Sequence, residues 1–286
     1  MTTGATREMV GAAFAGRYAI PAFNVFDDFS MRAVLQAAAE LDSPVIIQVS
    51  VKTVRSLGAA YLRALFLARA REVSVPAALH LDHCPERAVI TAALEAGFDS
   101  LLFDASDRSY DAALVETREV VEQARGFGAA VESEIEGIRG VEDGVGSEEE
   151  GGRYSVSRVG RFVAATGVDF FAPAIGTAHG RYSAAPRLSP ERINALVEAT
   201  GIPQVLHGGT GLAAVDFADL VGRGCAKVNV STAIKEGYLR GGYGELRNAA
   251  EKDHWDPPRF FAAATEAATE AARTHIRMLG SAGKAA

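Results

Sequence analysis

Three histidines carry the chemistry that the sequence makes visible: His83 in Leu79-His-Leu-Asp-His-Cys84, His179 in Ile175-Gly-Thr-Ala-His-Gly180 and His207 in Leu206-His-Gly-Gly-Thr-Gly211. Each ends or closely follows a short apolar run that reads as a buried strand. One histidine at a strand end is more often structural than a metal ligand. Here three of the chain's six stand in that position, and the balance shifts to metal. Neutral imidazoles gathered at the C-terminal ends of parallel strands make a catalytic zinc site with an open coordination position. His80, two residues before Asp82 and on the same strand face, reads as support or core packing.

Asp82 is adjacent to His83 and suits a general acid/base acting on a substrate held by the metal; its plainer role would be to orient a ligand imidazole. Asp104 ends the run Ser100-Leu-Leu-Phe-Asp104, and Glu132 and Glu134 share a face of Ala130–Ile135. Charges inside apolar strands are costly unless paired or bound to a cation, with a structural ion pair as the alternative. Gly208, Gly209 and Thr210 follow one strand, and Asn229, Val230, Ser231 and Thr232 end the next. Loops after the last two strands of such a fold often hold a phosphate. Lys227 could form a Schiff base with a ketone, but its setting in a strand reads as structural or phosphate-facing.

The elements that must position these residues alternate. Strand-like runs at Ile20–Val25, Pro44–Val49, Ala77–Leu81, Ser100–Phe103, Ala130–Ile135, Phe170–Ala174, Gln204–Leu206 and Lys227–Val230 are separated by helical patterns, one of them at Thr232–Arg240. Continuously apolar strands between helices predict a parallel sheet covered on both faces. No G-x-G-x-x-G follows the first strand, so a (β/α)8 TIM barrel is expected rather than an open doubly wound sheet. Residues 1–286 read as one domain. An acidic, Gly-rich segment at about 136–157 looks too polar for core and suits a mobile loop. An Ala-rich helix at about 257–279 lies beyond the barrel count. Ser189 is placed to cap a helix that starts at Pro190.

Hydrophobic residues make up 48% and charged residues 23%, as in ordinary globular proteins. A net charge of -7 argues against nucleic acid as partner. No apolar run is long enough to span a membrane, and the first residues lack a signal-peptide core. With two cysteines, both in or beside apolar strands, the expectation is a reducing, cytoplasmic setting without disulfides.

Taken together, His-Leu-Asp-His-Cys, Ile-Gly-Thr-Ala-His-Gly, His-Gly-Gly-Thr-Gly and Lys-Val-Asn-Val-Ser-Thr, in that order, resemble the class II (metal-dependent) ketose-bisphosphate aldolases, which include the fructose- and tagatose-bisphosphate enzymes. The resemblance runs from Ala22 to Ser281. It implies a lyase that interconverts a ketose 1,6-bisphosphate with dihydroxyacetone phosphate and glyceraldehyde 3-phosphate through a zinc-stabilised enediolate. It makes His83, His179 and His207 the zinc ligands and Asp82 the acid/base at the aldehyde oxygen. Asp104 and Glu134 fall at a second or alternate position, for a divalent or monovalent cation. Glu142, in the acidic loop, falls where a mobile glutamate removes the carbon-bound proton. Asn24, Ser50, Gly180, Gly208 to Thr210 and Asn229 to Thr232 match substrate and phosphate contacts. The family also implies a homodimer or homotetramer.

Two departures bear on the substrate. Ile135-Glu136 stands where the family usually has Leu-Gly, with Arg139 where Gly is common. Ser50-Val-Lys-Thr-Val-Arg55 replaces a Gly-rich stretch and puts Lys52 or Arg55 in reach of an anionic distal group, unless both are simply solvated. Competing readings are an aldolase of another phosphorylated keto sugar or keto acid, such as the deoxy-keto-gluconate phosphate of inositol catabolism, and a non-catalytic aldolase partner subunit.

Overall fold

The structure, a computed structural model, describes residues 5–138, 140–142, 145–147, 152–182 and 185–285. In chain order the strands are β1 (Ile20–Asn24), β2 (Val45–Ser50), β3 (Ala77–Cys84), β4 (Ser100–Asp104), β5 (Ala130–Glu134), β6 (Gly140–Glu142), β7 (Val145–Ser147), β8 (Phe170–Phe171), β9 (Gln204–Leu206) and β10 (Cys225–Val230). The helices are α1 (Ala5–Gly16), α2 (Asp28–Glu40), α3 (Val51–Leu57), α4 (Ala59–Ala70), α5 (Arg87–Glu95), α6 (Tyr110–Gly126), α7 (Val156–Thr166), α8 (Pro190–Thr200), α9 (Ala214–Arg223), α10 (Thr232–Lys252) and α11 (Pro257–Met278).

Eight parallel strands close in the order β1-β10-β9-β8-β5-β4-β3-β2, so the expected barrel is the fold. The remaining pair, β6 and β7, forms an antiparallel hairpin within the acidic segment. Apolar side chains between strands and helices make the larger core, with Phe23, Phe103, Phe171 and Phe217 fully buried. A second core fills the barrel floor: Ile20, Ala22, Ile46, Ala78, Ala130, Phe170 and Val205 meet Met9, Val10 and Ala13 of α1. That plug helix was not expected from the sequence. Its apolar stripe is confined to Met9, Val10, Ala13 and Phe14, too brief to stand out.

Other boundaries shifted for identifiable reasons. The strand expected over Phe170–Ala174 ends at Phe171, because the Ala174 N–H turns away to the Glu136 carboxylate, 2.9 Å off. The helix expected at Thr232–Arg240 continues to Lys252, supported by α11 packed along it. Pro190 does open α8, but Ser189 makes no side-chain cap and instead accepts from the Arg153 guanidinium at 3.2 Å. The acidic segment is not polar throughout. Glu136 is fully buried, ion-paired to Arg192, and accepts from the Tyr154 and Ala174 N–H groups at 2.8 and 2.9 Å. One carboxylate thus ties together both roots of the segment, which accounts for an acidic residue where the resembled family has glycine. No helix among the described residues is long and apolar enough to cross a membrane.

Cys84 and Cys225 are both free and buried, and burial pushes each thiol up to about 12. A thiol reagent at about pH 8 should therefore leave the native protein unlabelled and label both residues after unfolding. Fast labelling of the native protein would show that either strand opens readily.

Candidate active site

Successive residues of a strand face opposite sides, so adjacent Asp82 and His83 should not both reach the barrel mouth. The structure resolves this with a bulge. The register of β3 against β4 shifts between Leu81 and Cys84, and His83 takes φ 42, while Asp82 stays in register opposite Ser50 of β2. Bulges re-aim side chains next to functional sites, and a positive φ at a non-glycine residue is uncommon. The strand does not end at Asp82; it kinks there.

His83, His179 and His207 converge at the mouth, with ring centroids 4.9 Å (His83 to His179), 4.7 Å (His83 to His207) and 5.8 Å (His179 to His207) apart. One nitrogen from each lies within 4.8 Å of the others. Carboxylates behind two of the rings fix which nitrogen faces inward. Asp104 Oδ2 sits 2.9 Å from His83 Nδ1, leaving Nε2 inward, and Glu132 Oε1 sits 2.8 Å from His207 Nε2, leaving Nδ1 inward. Glu134 Oε2 is 2.9 Å from that Nδ1 but off the direction of a hydrogen bond. His83 Nε2, His207 Nδ1 and Glu134 Oε2 are buried with no hydrogen-bond partner among the described residues.

Charge gives the same answer as geometry. Asp82, Asp104, Glu132 and Glu134 are all buried here, against one buried ammonium, Lys227. Burial opposes a charge on His83, yet Asp82, the bond from Asp104 and nearby Glu134 hold its pKa well above the usual imidazole value. His207 shifts up as well: burial opposes its charge, but the bond to Glu132 and the Glu134 carboxylate close to Nδ1 outweigh it. The field at this point favours positive charge. Unpartnered imidazole nitrogens, carboxylates behind them and excess negative charge together suit a dication such as zinc.

Asp82 stands beside the histidines in an amide network. It accepts from Asn24 Nδ2 at 2.7 Å and from Asn229 Nδ2 at 3.2 Å. Gln48 Nε2 donates to Asn24 Oδ1 at 3.0 Å, which turns the Asn24 amide nitrogen toward Asp82. Gln48 was missed in the sequence, although a polar residue one pleat below Ser50 in Val45-Ile-Ile-Gln-Val-Ser50 was the available signal. His80, at the same level, bonds Ser100 Oγ at 2.8 Å and is held neutral by burial and by Lys227.

Three loops meet beside the histidines. The Gly209 N–H donates to the Asn229 carbonyl at 3.1 Å, and the Ala233 N–H at the start of α10 donates to Thr210 Oγ1 at 3.2 Å. Ser231 Oγ is buried and unpartnered among the described residues. Gly208 has φ 71, and a Cβ there would overlap the Ala178 carbonyl, so only glycine lets the His179 and His207 loops approach. Tyr182 staples the same two loops, donating to the Gly208 carbonyl at 2.8 Å and accepting from the Ala178 N–H at 3.1 Å; no sequence pattern announced it. Gly180, with φ 84, lies in the first of these loops. Val230 buries its side chain in the core, and Thr232 is the first residue of α10.

The other positions singled out in the sequence have varied surroundings. The Ser50 hydroxyl caps α3, accepting from the Thr53 N–H at 3.3 Å. Asp104 uses both oxygens, one for His83 and the other for Ser106 Oγ at 2.6 Å, so it stands behind the His83 ring. Arg55 is paired with Glu86 at 2.5 Å on the surface. Lys52 instead lines a cavity of about 370 Å³ with Asn24, Phe26, Thr53, Ser56 and Lys235. Glu142 lies on β6, and its side chain is outside the described residues. At the root of that hairpin Gly140, with φ 102, packs so closely on the His179 backbone that a Cβ would collide with it.

A parallel barrel with three histidines and an aspartate at its mouth is the setting, and the chain belongs to the family described as "Fructose-bisphosphate aldolase class-II", whose profile matches residues 4–284. It is 31% identical to the sulfofructosephosphate aldolase of Alkalicoccus urumqiensis over 98% of this chain and 97% of that protein. It is 35% identical to a Bacillus subtilis protein assigned as a fructose-bisphosphate aldolase, over 97% and 98% of the two chains. The crystal structure of a Coccidioides immitis protein assigned as a fructose-1,6-biphosphate aldolase superposes with a TM-score of 0.90 at 30% identity, covering 100% of this chain and 99% of that one.

Proposed function

We propose that this protein cleaves a ketose 1,6-bisphosphate, of fructose or tagatose type, to dihydroxyacetone phosphate and glyceraldehyde 3-phosphate, and catalyses the reverse condensation. The observation that carries the reading is the set of inward imidazole nitrogens beside Asp82. His83, His179 and His207 would hold zinc, and when bound it supplies a Lewis acid at the ketone oxygen. Asp104 and Glu132 orient two of the ligands, and Glu134 lies where a second or alternate cation contact would be made.

The protein's own groups handle positions and protons. Asp82, its oxygens aimed by Asn24 and Asn229, takes the proton from the C4 hydroxyl as the C3–C4 bond breaks and returns it to the aldehyde oxygen in condensation. Gly208 to Thr210, Ser231 and the first N–H groups of α10 receive the ketone-side phosphate, with Gly180, the Val230 main chain and Thr232 at its rim. Glu142, on the hairpin rooted against His179, is assigned the carbon-bound proton of dihydroxyacetone phosphate. Ser50 and Asn24 border the aldehyde half. Lys227 is engaged by Glu132 at 2.8 Å and Asn229 at 2.6 Å, which leaves a Schiff base without support. A cytoplasmic homodimer or homotetramer completes the reading.

A second reading concerns only the distal group. Lys52 and Lys235 on the cavity beside Asn24 suit any tetrahedral oxyanion, and a relative at 31% identity is named for a sulfonated sugar phosphate. The test is dihydroxyacetone phosphate release from fructose and tagatose 1,6-bisphosphates and from a ketose 1-phosphate ending in a sulfonate, each with and without a strong chelator. Chelator-sensitive cleavage of a bisphosphate supports the first reading, and preference for the sulfonate supports the second. Cleavage that ignores the chelator would overturn both.

A further inference from the structure

Lys227 is fully buried in the barrel, and an unpaired ammonium there would be costly. Its Nζ reaches Glu132 Oε2 at 2.8 Å and Asn229 Oδ1 at 2.6 Å. Each contact leads to a different part of the site. Glu132 turns its other oxygen, Oε1, to His207 Nε2 at 2.8 Å, and Asn229 turns its Nδ2 to Asp82 Oδ1 at 3.2 Å.

Donor and acceptor logic makes this branching directional. An ammonium only donates, so the atom that Asn229 presents to Lys227 must be its oxygen, and the amide nitrogen is left for Asp82. A carboxylate only accepts, so His207 must carry its proton on Nε2 when it bonds Glu132, and the Nδ1 lone pair is left facing His83 and His179. Reversing either group would set acceptor against acceptor or donor against donor. Two residues apart on β10, Lys227 and Asn229 share one face of the strand, the face that meets Glu132 and Asp82.

We propose that Lys227 is the positioning residue that fixes two things at once: the tautomer and aim of the ligand His207, through Glu132, and the orientation of Asp82, through Asn229. The proposal rests on the metal-site reading above and adds a residue that touches neither metal nor substrate. It predicts that loss of the ammonium damages metal binding and proton transfer separately.

The test compares Lys227→Met with the charge-balanced double variant Lys227→Met/Glu132→Gln, which guards against simple misfolding around an unpaired buried carboxylate. Zinc affinity is read by chelator competition, ligand-field absorption after loading with Co2+, kcat and KM at saturating zinc, and Tm without metal. For Lys227→Met, zinc affinity should fall about 10–100-fold, the range for loss of an outer-shell partner. The Co2+ bands should shift, and kcat should fall at least about tenfold more than KM changes. In the double variant Tm should recover, while kcat at saturating zinc stays depressed because Asn229 still lacks its donor. Wild-type zinc affinity and kcat in the double variant would reduce Lys227 to a counter-charge and overturn the proposal, as would unchanged values in the single variant. If zinc does not bind the wild-type protein at all, the metal-site reading fails first, and the kcat effect alone then decides the Asn229 branch.

Discussion

Asp82→Asn is expected to lower kcat by about 10²–10⁴-fold, the span attributed to a positioned general acid/base, with zinc still bound at one equivalent. The substitution keeps shape and removes the proton-accepting oxygen. It also costs stability in a foreseeable way. Asn24 and Asn229 both present Nδ2 donors to the carboxylate. An Asn side chain can accept from one and must turn an NH2 toward the other, so one donor loses its partner at a cost of about 1–3 kcal/mol. The comparison to make is kcat and metal content on the same preparation, with the denaturation midpoint alongside. Near-normal turnover would remove Asp82 from proton transfer and leave it only the task of orienting the site.

His83→Ala is expected to abolish turnover by a different route, through the metal. Zinc affinity should fall well beyond the ~10–100-fold of an outer-shell loss, and circular dichroism should show the barrel intact, since the ring is at the mouth. The pH dependence follows from the same groups. In the metal-free protein His83 and His207 both have raised pKa values. A proton therefore stabilises the folded metal-free state below the ordinary imidazole value, about 6.5, and that contribution is lost as pH rises through the folded pKa. Zinc competes with those protons, so its affinity falls as pH falls, by about tenfold per unit for each proton displaced. The gap in Tm between zinc-loaded and metal-free protein should thus widen between about pH 6 and pH 8. A gap that narrows would mean that these histidines do not meet the metal.

Much of this was legible in the sequence because parallel barrels print themselves in simple form. Strands buried on both faces are short apolar runs, and polar residues that survive in them, such as Asp104, Glu132 and Glu134, must have a reason to be there. The histidines were visible for the same reason. What lay hidden depended on contacts between distant segments. Adjacent Asp82 and His83 reach one mouth only through the β3 bulge, which no local pattern marks. Tyr182 joins two loops by its hydroxyl alone. Glu136 looked like the start of a solvated loop, because nothing nearby in sequence shows that Arg192 and two backbone N–H groups will surround it. Lys227 was readable as structural, but its two branches depend on the register that brings Glu132 and Asn229 beside it.

The most direct measurement is a zinc titration of chelator-stripped protein, following dihydroxyacetone phosphate release from the best bisphosphate substrate. Turnover should be absent at the start, rise linearly and break at one zinc per chain. Full turnover in stripped protein, or added zinc bound without any turnover appearing, would contradict the account.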